Sequence, residues 1–293
     1  MNRRKNLPEN NGLPWINPVG GMGDAITVSS LLKIIHDQDP TRKFNLVRRT
    51  GYSNILMDHE AIERVGFPEK GDEILNVEFW KLEPPPDAPH RPLQILAHNF
   101  GLSTPVEEDL YVANLPEEDP LLFDTIPWGE KNVIISPTSN SPRKSPHRNV
   151  WIRIVQLLKE KGITVFQPGK RTEFAIPGVY SLIGTTTPKE LIKLVGRCDA
   201  VVTCDNFVMH AAHLMGTPAV VAWGPTRHQT YGYPEQIHHQ MKPQCGPVIC
   251  FFREADSGKH IYGLPCPLGE NGCASQIDPE VIRGSVMEIL GKK

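Results

Sequence analysis

Ala200-Val201-Val202-Thr203-Cys204-Asp205-Asn206-Phe207-Val208-Met209-His210 opens the stretch that decides the fold, and Ala219-Val220-Val221-Ala222-Trp223 closes it. The first four residues form a short, apolar, β-branched run, as expected of a strand buried inside a sheet. Three small or polar residues follow. Apolar positions then recur at helical spacing from about Phe207 to Met215, and a second buried strand begins at Ala219. Strand, helix and strand in this order make a βαβ unit, whose two strands run parallel.

The same alternation continues upstream. Val133 to Ser136 reads as a strand, about Val150 to Lys161 as a helix, and Thr164-Val165-Phe166 and Val179-Tyr180-Ser181-Leu182 as strands. Pro188 to Arg197 reads as another helix. Near the end, Val281, Ile282, Val286, Ile289 and Leu290 fall at helical spacing between Pro279 and Leu290. Single helices between successive strands predict a parallel sheet covered on both faces. The first half carries a strand up to Ile16, a glycine turn, a helix from about Ala25 to His36 and a strand at Phe44 to Val47. Leu93-Gln94-Ile95-Leu96 reads as a further strand there, and Glu73-Ile74-Leu75 as a marginal one. Prolines punctuate the chain at Pro84-Pro85-Pro86, Pro89 and Pro92, and again at Pro116, Pro120 and Pro127. The acidic segment Leu115 to Pro120 makes the second break the better boundary. Two Rossmann-like α/β domains, 1–128 and 129–293, are therefore expected to face each other across a cleft.

Length and composition agree, since 293 residues suffice for two domains with cores of their own. Lys plus Arg (31) nearly balance Asp plus Glu (33), so charge makes no case for a nucleic-acid partner. No apolar run approaches the ~18–20 residues of a membrane span. Six cysteines in a chain this long do not suggest a disulfide scaffold. The basic start Arg3-Arg4-Lys5 leads into Leu7-Pro8-Glu9-Asn10-Asn11 and not into an apolar leader. A cytoplasmic protein is expected, free or at the inner face of a membrane.

Four sets of residues carry chemistry. Gly20, Gly21 and Gly23 surround the turn before Asp24, where a strand passes into a helix and a ligand can approach the backbone. The spacing is not the dinucleotide fingerprint, and no acidic residue ends the strand Phe44 to Val47. Asp24 is either a helix-start acid favoured by the dipole or a general base in the cleft. Asp205 to His210 begin a helix at the carboxyl end of a strand, where free amides suit a phosphate; the plainer reading makes Asp205 an N-cap and His210 a packed histidine. Thr138, Arg143 and Lys144, preceding the helix of Trp151, supply cations for a diphosphate or form a solvated surface. Cys245, Cys250, Cys266 and Cys273 have a spacing looser than tight Cys-x-x-Cys pairs and are either a metal site or plain thiols.

Cys204 to Pro218 followed by Trp223-Gly224-Pro225-Thr226 resembles the long signature of the bacterial heptosyltransferases. Leu182 to Leu191, Lys144-Ser145-Pro146 with Trp151, Gly23-Asp24-Ala25-Ile26 and Asp58 to Val65 resemble further elements of that family. The resemblance implies a GT-B fold and an inverting transfer of a heptose or similar hexose from a nucleoside-diphosphate sugar. The acceptor would be a hydroxyl on a glycan, a lipid-linked glycan, a protein or a modified nucleobase, and catalysis would require no cofactor. It implies Asp24 as base, and Lys144 with Arg143, Thr138, Asp205, Asn206, Phe207 and His210 around the diphosphate. Glu173 would reach the ribose, and Gly184 and Thr185 would line the base. Protein-modifying members carry a four-cysteine metal finger, implying zinc or iron on Cys245, Cys250, Cys266 and Cys273. Asn206 and Phe207 depart from the family, which has Thr or Ser and then Gly. Two rival readings are a nucleotide-sugar epimerase of the same shape and a degenerate, non-catalytic nucleotide-sugar binder.

Overall fold

A computed structural model of the chain describes residues 11–48, 53–85, 91–102, 109–116, 123–245 and 264–291. In the first half, β1 (Trp15–Pro18), α1 (Met22–Gln38), β2 (Phe44–Val47), α2 (Ser53–Leu56), β3 (Ile62–Gly66), β4 (Ile74–Val77) and α3 (Pro92–Asn99) follow in order. The strands form one parallel sheet, ordered β3-β2-β1-β4. The marginal strand at Glu73 to Leu75 is thus real, and β4 pairs with β1 along its length.

Leu93 to Leu96 is a correction: it lies in α3 and not in a strand. Pro92 sits at the first helical position, where its missing amide costs nothing, and the Gln94 side chain accepts from the Arg91 amide at 3.4 Å. Leu93 and Leu96 then both reach the core at helical spacing. A four-residue apolar run fits either period, and the residues around it decide.

The second half contains β5 (Asn132–Ser136), α4 (Arg148–Lys159), β6 (Thr164–Gly169), β7 (Tyr180–Ile183) and α5 (Pro188–Arg197). It continues with β8 (Ala200–Cys204), α6 (Phe207–Met215), β9 (Ala219–Trp223), α7 (His228–Tyr231), β10 (Ile237–Gln240) and α8 (Pro279–Gly291). All its strands are parallel, ordered β10-β9-β8-β5-β6-β7. In both sheets the winding reverses beside the first strand, between β1 and β4 and between β5 and β8. Ligands of such sheets bind in the crevice at the carboxyl ends of those strands.

Side chains alternate along the central strands and divide the core in two. Val133 and Ile135 of β5 and Val202 of β8 turn to one face, onto α4 and α8. Ile134 and Val201 turn to the other and join a cluster that includes Leu194, Val208, Ala25 and Leu31. That second cluster runs without a break from the second sheet into the first, so the two halves share an apolar seam. Among the described residues no helix is long and apolar enough to cross a membrane.

A buried lysine ties the seam. Thr187 caps α5 reciprocally with Glu190 (2.6 and 3.3 Å), which fixes the helix start. Lys189, 8% exposed, then reaches into the first half and donates to the carboxylate of Asp58 (2.9 Å) and the carbonyls of Ala113 (2.8 Å) and Asn114 (3.3 Å). Asn114 has φ 48°, a left-handed conformation that asparagine tolerates better than most residues. Lys189→Ala leaves the buried Ala113 carbonyl without this donor and should cost about 1–3 kcal/mol in denaturant unfolding.

Candidate functional site

On the first half, the site is built by the turn from β1 into α1. The Val19 amide donates to the Val77 carbonyl at 3.3 Å, holding the end of β4 beside this turn. Gly20 has φ 118°, and a Cβ there would overlap the Asp24 carboxylate. Glycine is therefore required twice over at this position. Asp24, third residue of α1, accepts from the Gly21 amide and so serves the helix start as one half of a capping box. Its carboxyl is also enclosed, and burial, the largest influence, pushes its pKa up to about 6. The Gly21 amide and Lys144 pull the value down, while Asp205 pushes it up. Groups from both halves thus act on one carboxylate.

The second half contributes the step from β8 into α6. Asn206, and not Asp205, is the N-cap: its side-chain oxygen accepts from the Val208 amide at 2.9 Å. Its Nδ2 donates to Ser136 Oγ (2.9 Å) and to the Thr138 carbonyl (2.8 Å), stitching the ends of β5 and β8 together at the switch point. Asp205 is released from capping and turns to other partners. It accepts from Thr226 Oγ1 at 2.6 Å and pairs with Lys144 Nζ at 3.2 Å, both side chains being largely enclosed. Phe207 is 8% exposed and packed into the shared core, so its ring is used in packing.

His210 joins the two sides. Its Nδ1 lies 2.6 Å from the Tyr233 hydroxyl, and burial pushes its pKa down to about 4, so the ring is neutral at pH 7. The other edge rests on Gly23: a Cβ there would lie 2.5 Å from His210 Cδ2. The first turns of α1 and α6 therefore meet at a glycine, a contact that neither helix reveals by itself.

Beside this centre, the ends of β5, β6 and β7 gather the remaining expected residues. Thr138 donates to Glu173, whose other oxygen accepts from the Lys170 amide at 2.9 Å. A Cβ on Gly169 would lie 2.6 Å from the Glu173 carboxylate. Gly184, at φ 73°, donates to the Gly169 carbonyl at 2.7 Å, and Thr185 Oγ1 donates to the Leu182 carbonyl at 2.9 Å. An acid following the second strand of a sheet wound this way is where ribose hydroxyls bind.

Arg143 is grouped differently from Lys144. Its Nε donates to the Leu264 carbonyl at 3.2 Å, and it lines a small cavity with Cys245, Cys266 and Cys273. Cys250 lies outside the described residues, and among the described residues no set of three or more His, Cys, Asp or Glu is arranged to hold a metal ion. Asp37 and Asp39, an Asp-x-Asp pair, lie at the far end of α1, about 20 Å from Asp24 along the helix. Asp37 pairs with Lys33 there, and Asp39 accepts from Thr41. Sequence reasoning missed the partners Thr226 and Tyr233. Thr226 falls inside the Gly-Pro-Thr motif, so its position was marked although its role was not.

Two parallel Rossmann-like sheets with their switch points turned to one cleft define a GT-B glycosyltransferase. A family model described as glycosyltransferase family 9 (heptosyltransferase) matches residues 52–256, and the chain belongs to that family. Its fold is shared by a family 9 glycosyltransferase from Veillonella parvula (12% identity, 96% of this chain and 97% of that one, TM-score 0.65). ADP-heptose LPS heptosyltransferase II from E. coli is similar to the same degree (13% identity, 96% and 99%, TM-score 0.65). So is the dodecameric, iron-containing heptosyltransferase TibC of enterotoxigenic E. coli, solved in complex with ADP-D-β-D-heptose (16% identity, 96% and 77%, TM-score 0.64). No curated protein matches the chain in sequence. Nothing in these comparisons favours the epimerase.

The contact between Gly23 and His210 has a measurable consequence. Gly to Ala inside a helix ordinarily stabilises by about 0.5–1 kcal/mol. Gly23→Ala should instead lower the thermal midpoint, because the added methyl drives α1 and α6 apart; a raised midpoint would show the contact to be loose.

Proposed function

We propose that the chain transfers a heptose from a nucleoside diphosphate to an acceptor hydroxyl, with inversion at the anomeric carbon. Residues 1–128 hold the acceptor and residues 129–293 the donor. The observation that carries this reading is the convergence on Asp24 of Lys144 and Asp205 from the opposite half. The fold shared with TibC, which binds ADP-D-β-D-heptose, supports the choice of donor.

Asp24 takes the proton of the acceptor hydroxyl as its oxygen attacks the anomeric carbon. The bond from that carbon to the diphosphate breaks, and the nucleoside diphosphate departs. A base raised to about 6 is ionised at pH 7 yet more basic than an ordinary carboxylate. Charge on the leaving diphosphate is met by the Lys144 ammonium and by the amides of the first turn of α6. Glu173 binds the ribose hydroxyls, and Gly184 with Thr185 borders the base. A buried Phe207 leaves this end of α6 compatible with a donor, which weakens the degenerate-binder reading.

Asp24→Asn keeps the size of the side chain and its acceptor for the Gly21 amide while removing the base. Turnover should fall by about a hundredfold or more. Wild-type turnover should itself decline with a single proton as pH drops below about 6. Stability carries the opposite sign. A carboxyl raised in the folded state is most favourable below its ordinary pKa, and its contribution is lost as pH rises through about 6. The variant should therefore gain in thermal midpoint relative to wild type between pH 5 and pH 8. Normal turnover in a folded Asp24→Asn protein would end this assignment.

Cys245, Cys250, Cys266 and Cys273 are proposed to hold one structural zinc or iron ion. Three of them already share a cavity wall with Arg143. Metal analysis of protein purified without added metal should give about one equivalent, and a background level would leave only thiols.

A further inference from the structure

The proposed reaction leaves its acceptor undefined, and the wall beside Asp24 is suggestive. Beyond Val77, which pairs with Pro18 at the mouth of the Asp24 turn, the chain forms a short 3-10 helix, Phe79–Lys81. The Phe79 ring crosses to the second half and meets Tyr231 of α7, with centroids 6.2 Å apart. Trp80 stands edge-on to Phe79 at 5.0 Å and is 49% exposed, whereas Trp15, Trp151 and Trp223 are at most 1% exposed. Glu78 and Lys81 neutralise each other at 2.9 Å, so the 3-10 helix that carries Phe79 and Trp80 has no net charge.

We propose that Trp80, Phe79 and Tyr231 form the acceptor subsite, and that the acceptor is a neutral saccharide. The inference rests on the transferase reading above. A pyranose presents a face of weakly positive C–H bonds, which the negative face of an indole attracts, and an exposed tryptophan three residues beyond the strand end that pairs with the Asp24 turn provides such a platform. A polyanionic acceptor finds no net positive charge on this 3-10 helix. Tyr231 supplies the polar contact. Its hydroxyl lies within electrostatic reach of Asp205, Lys144 and Asp24, and burial first, then Asp205, pushes its pKa up to about 12. It stays protonated and can donate to a sugar oxygen while Asp24 takes the proton of the reacting hydroxyl.

The test uses the full chain, ADP-heptose as donor, and three acceptor probes: octyl glycosides of neutral hexoses and heptoses, an octyl glycoside of an acidic sugar, and a serine- and threonine-bearing peptide. The neutral glycosides should be the best acceptors. Trp80→Leu should raise their KM by about tenfold or more while leaving the donor KM near wild type, and Trp80→Phe should recover most of the loss. A neutral-glycoside KM unmoved by Trp80→Leu, or transfer confined to the peptide or the acidic glycoside, would overturn the proposal. A wild-type protein that releases no nucleotide with any acceptor would overturn the transfer reading instead. The subsite is then judged without turnover: the neutral glycoside should quench tryptophan fluorescence in wild type and not in Trp80→Leu, and equal quenching in both would overturn it.

Discussion

Two helix starts meet where Gly23 of α1 faces His210 of α6, and the site depends on that approach. Each helix presents a partial positive charge at its N-terminus, so bringing two together is unfavourable unless negative charge lies between or beside them. Asp24 in the first turn of α1 and Asp205 just before α6 provide it. The neutrality of His210, enforced by burial, avoids adding a further cation. The raised basicity of Asp24 comes from its burial at this approach, which outweighs the pull of the Gly21 amide and the Lys144 ammonium.

Winding explains why these groups converge at all. In each sheet the first strand is central and the chain leaves it first to one side and then to the other, which opens a gap between the loops on its carboxyl end. Asn206 closes the lower part of that gap by bonding Ser136 and Thr138, leaving the upper part to Lys144 and Asp205. The apolar seam through Ala25, Leu31 and Val208 then fixes one half against the other. The buried ammonium of Lys189 adds a directional tie that apolar packing lacks.

Much of this was legible in the chain because it is local. The βαβ unit from Ala200 to Trp223 declares itself through two apolar runs, and the turn at Gly20 to Asp24 through its glycines. What escaped was either ambiguous in period or distant in sequence. Leu93 to Leu96 is too short to separate helix from strand, and β10 is built from Ile-His-His-Gln, which carries no apolar run. Asp205 and Asn206 are both good caps by type, and only the position of Ser136 and Thr138 selects Asn206. Arg143 adjoins Lys144 in sequence, yet in the fold it serves the cysteine-bearing segment 121 residues away. Tyr231 and Phe79 meet only because two domains do.

Cys204 ends β8 next to Asp205, fully enclosed, with its thiol pushed up to about 12 by burial first and then by that carboxylate. Nucleophilic reactivity belongs to the thiolate, so this sulfur is inert to alkylating and oxidising agents at neutral pH. Cys198 is buried as well, whereas Cys245 is exposed and Cys266 and Cys273 are partly so. The molecule thus separates its sulfur chemistry in space. A maleimide or a peroxide will therefore compete with a metal ion for the thiols of the late segment around Arg143 and leave the crevice untouched, so that protection from labelling reports metal occupancy there.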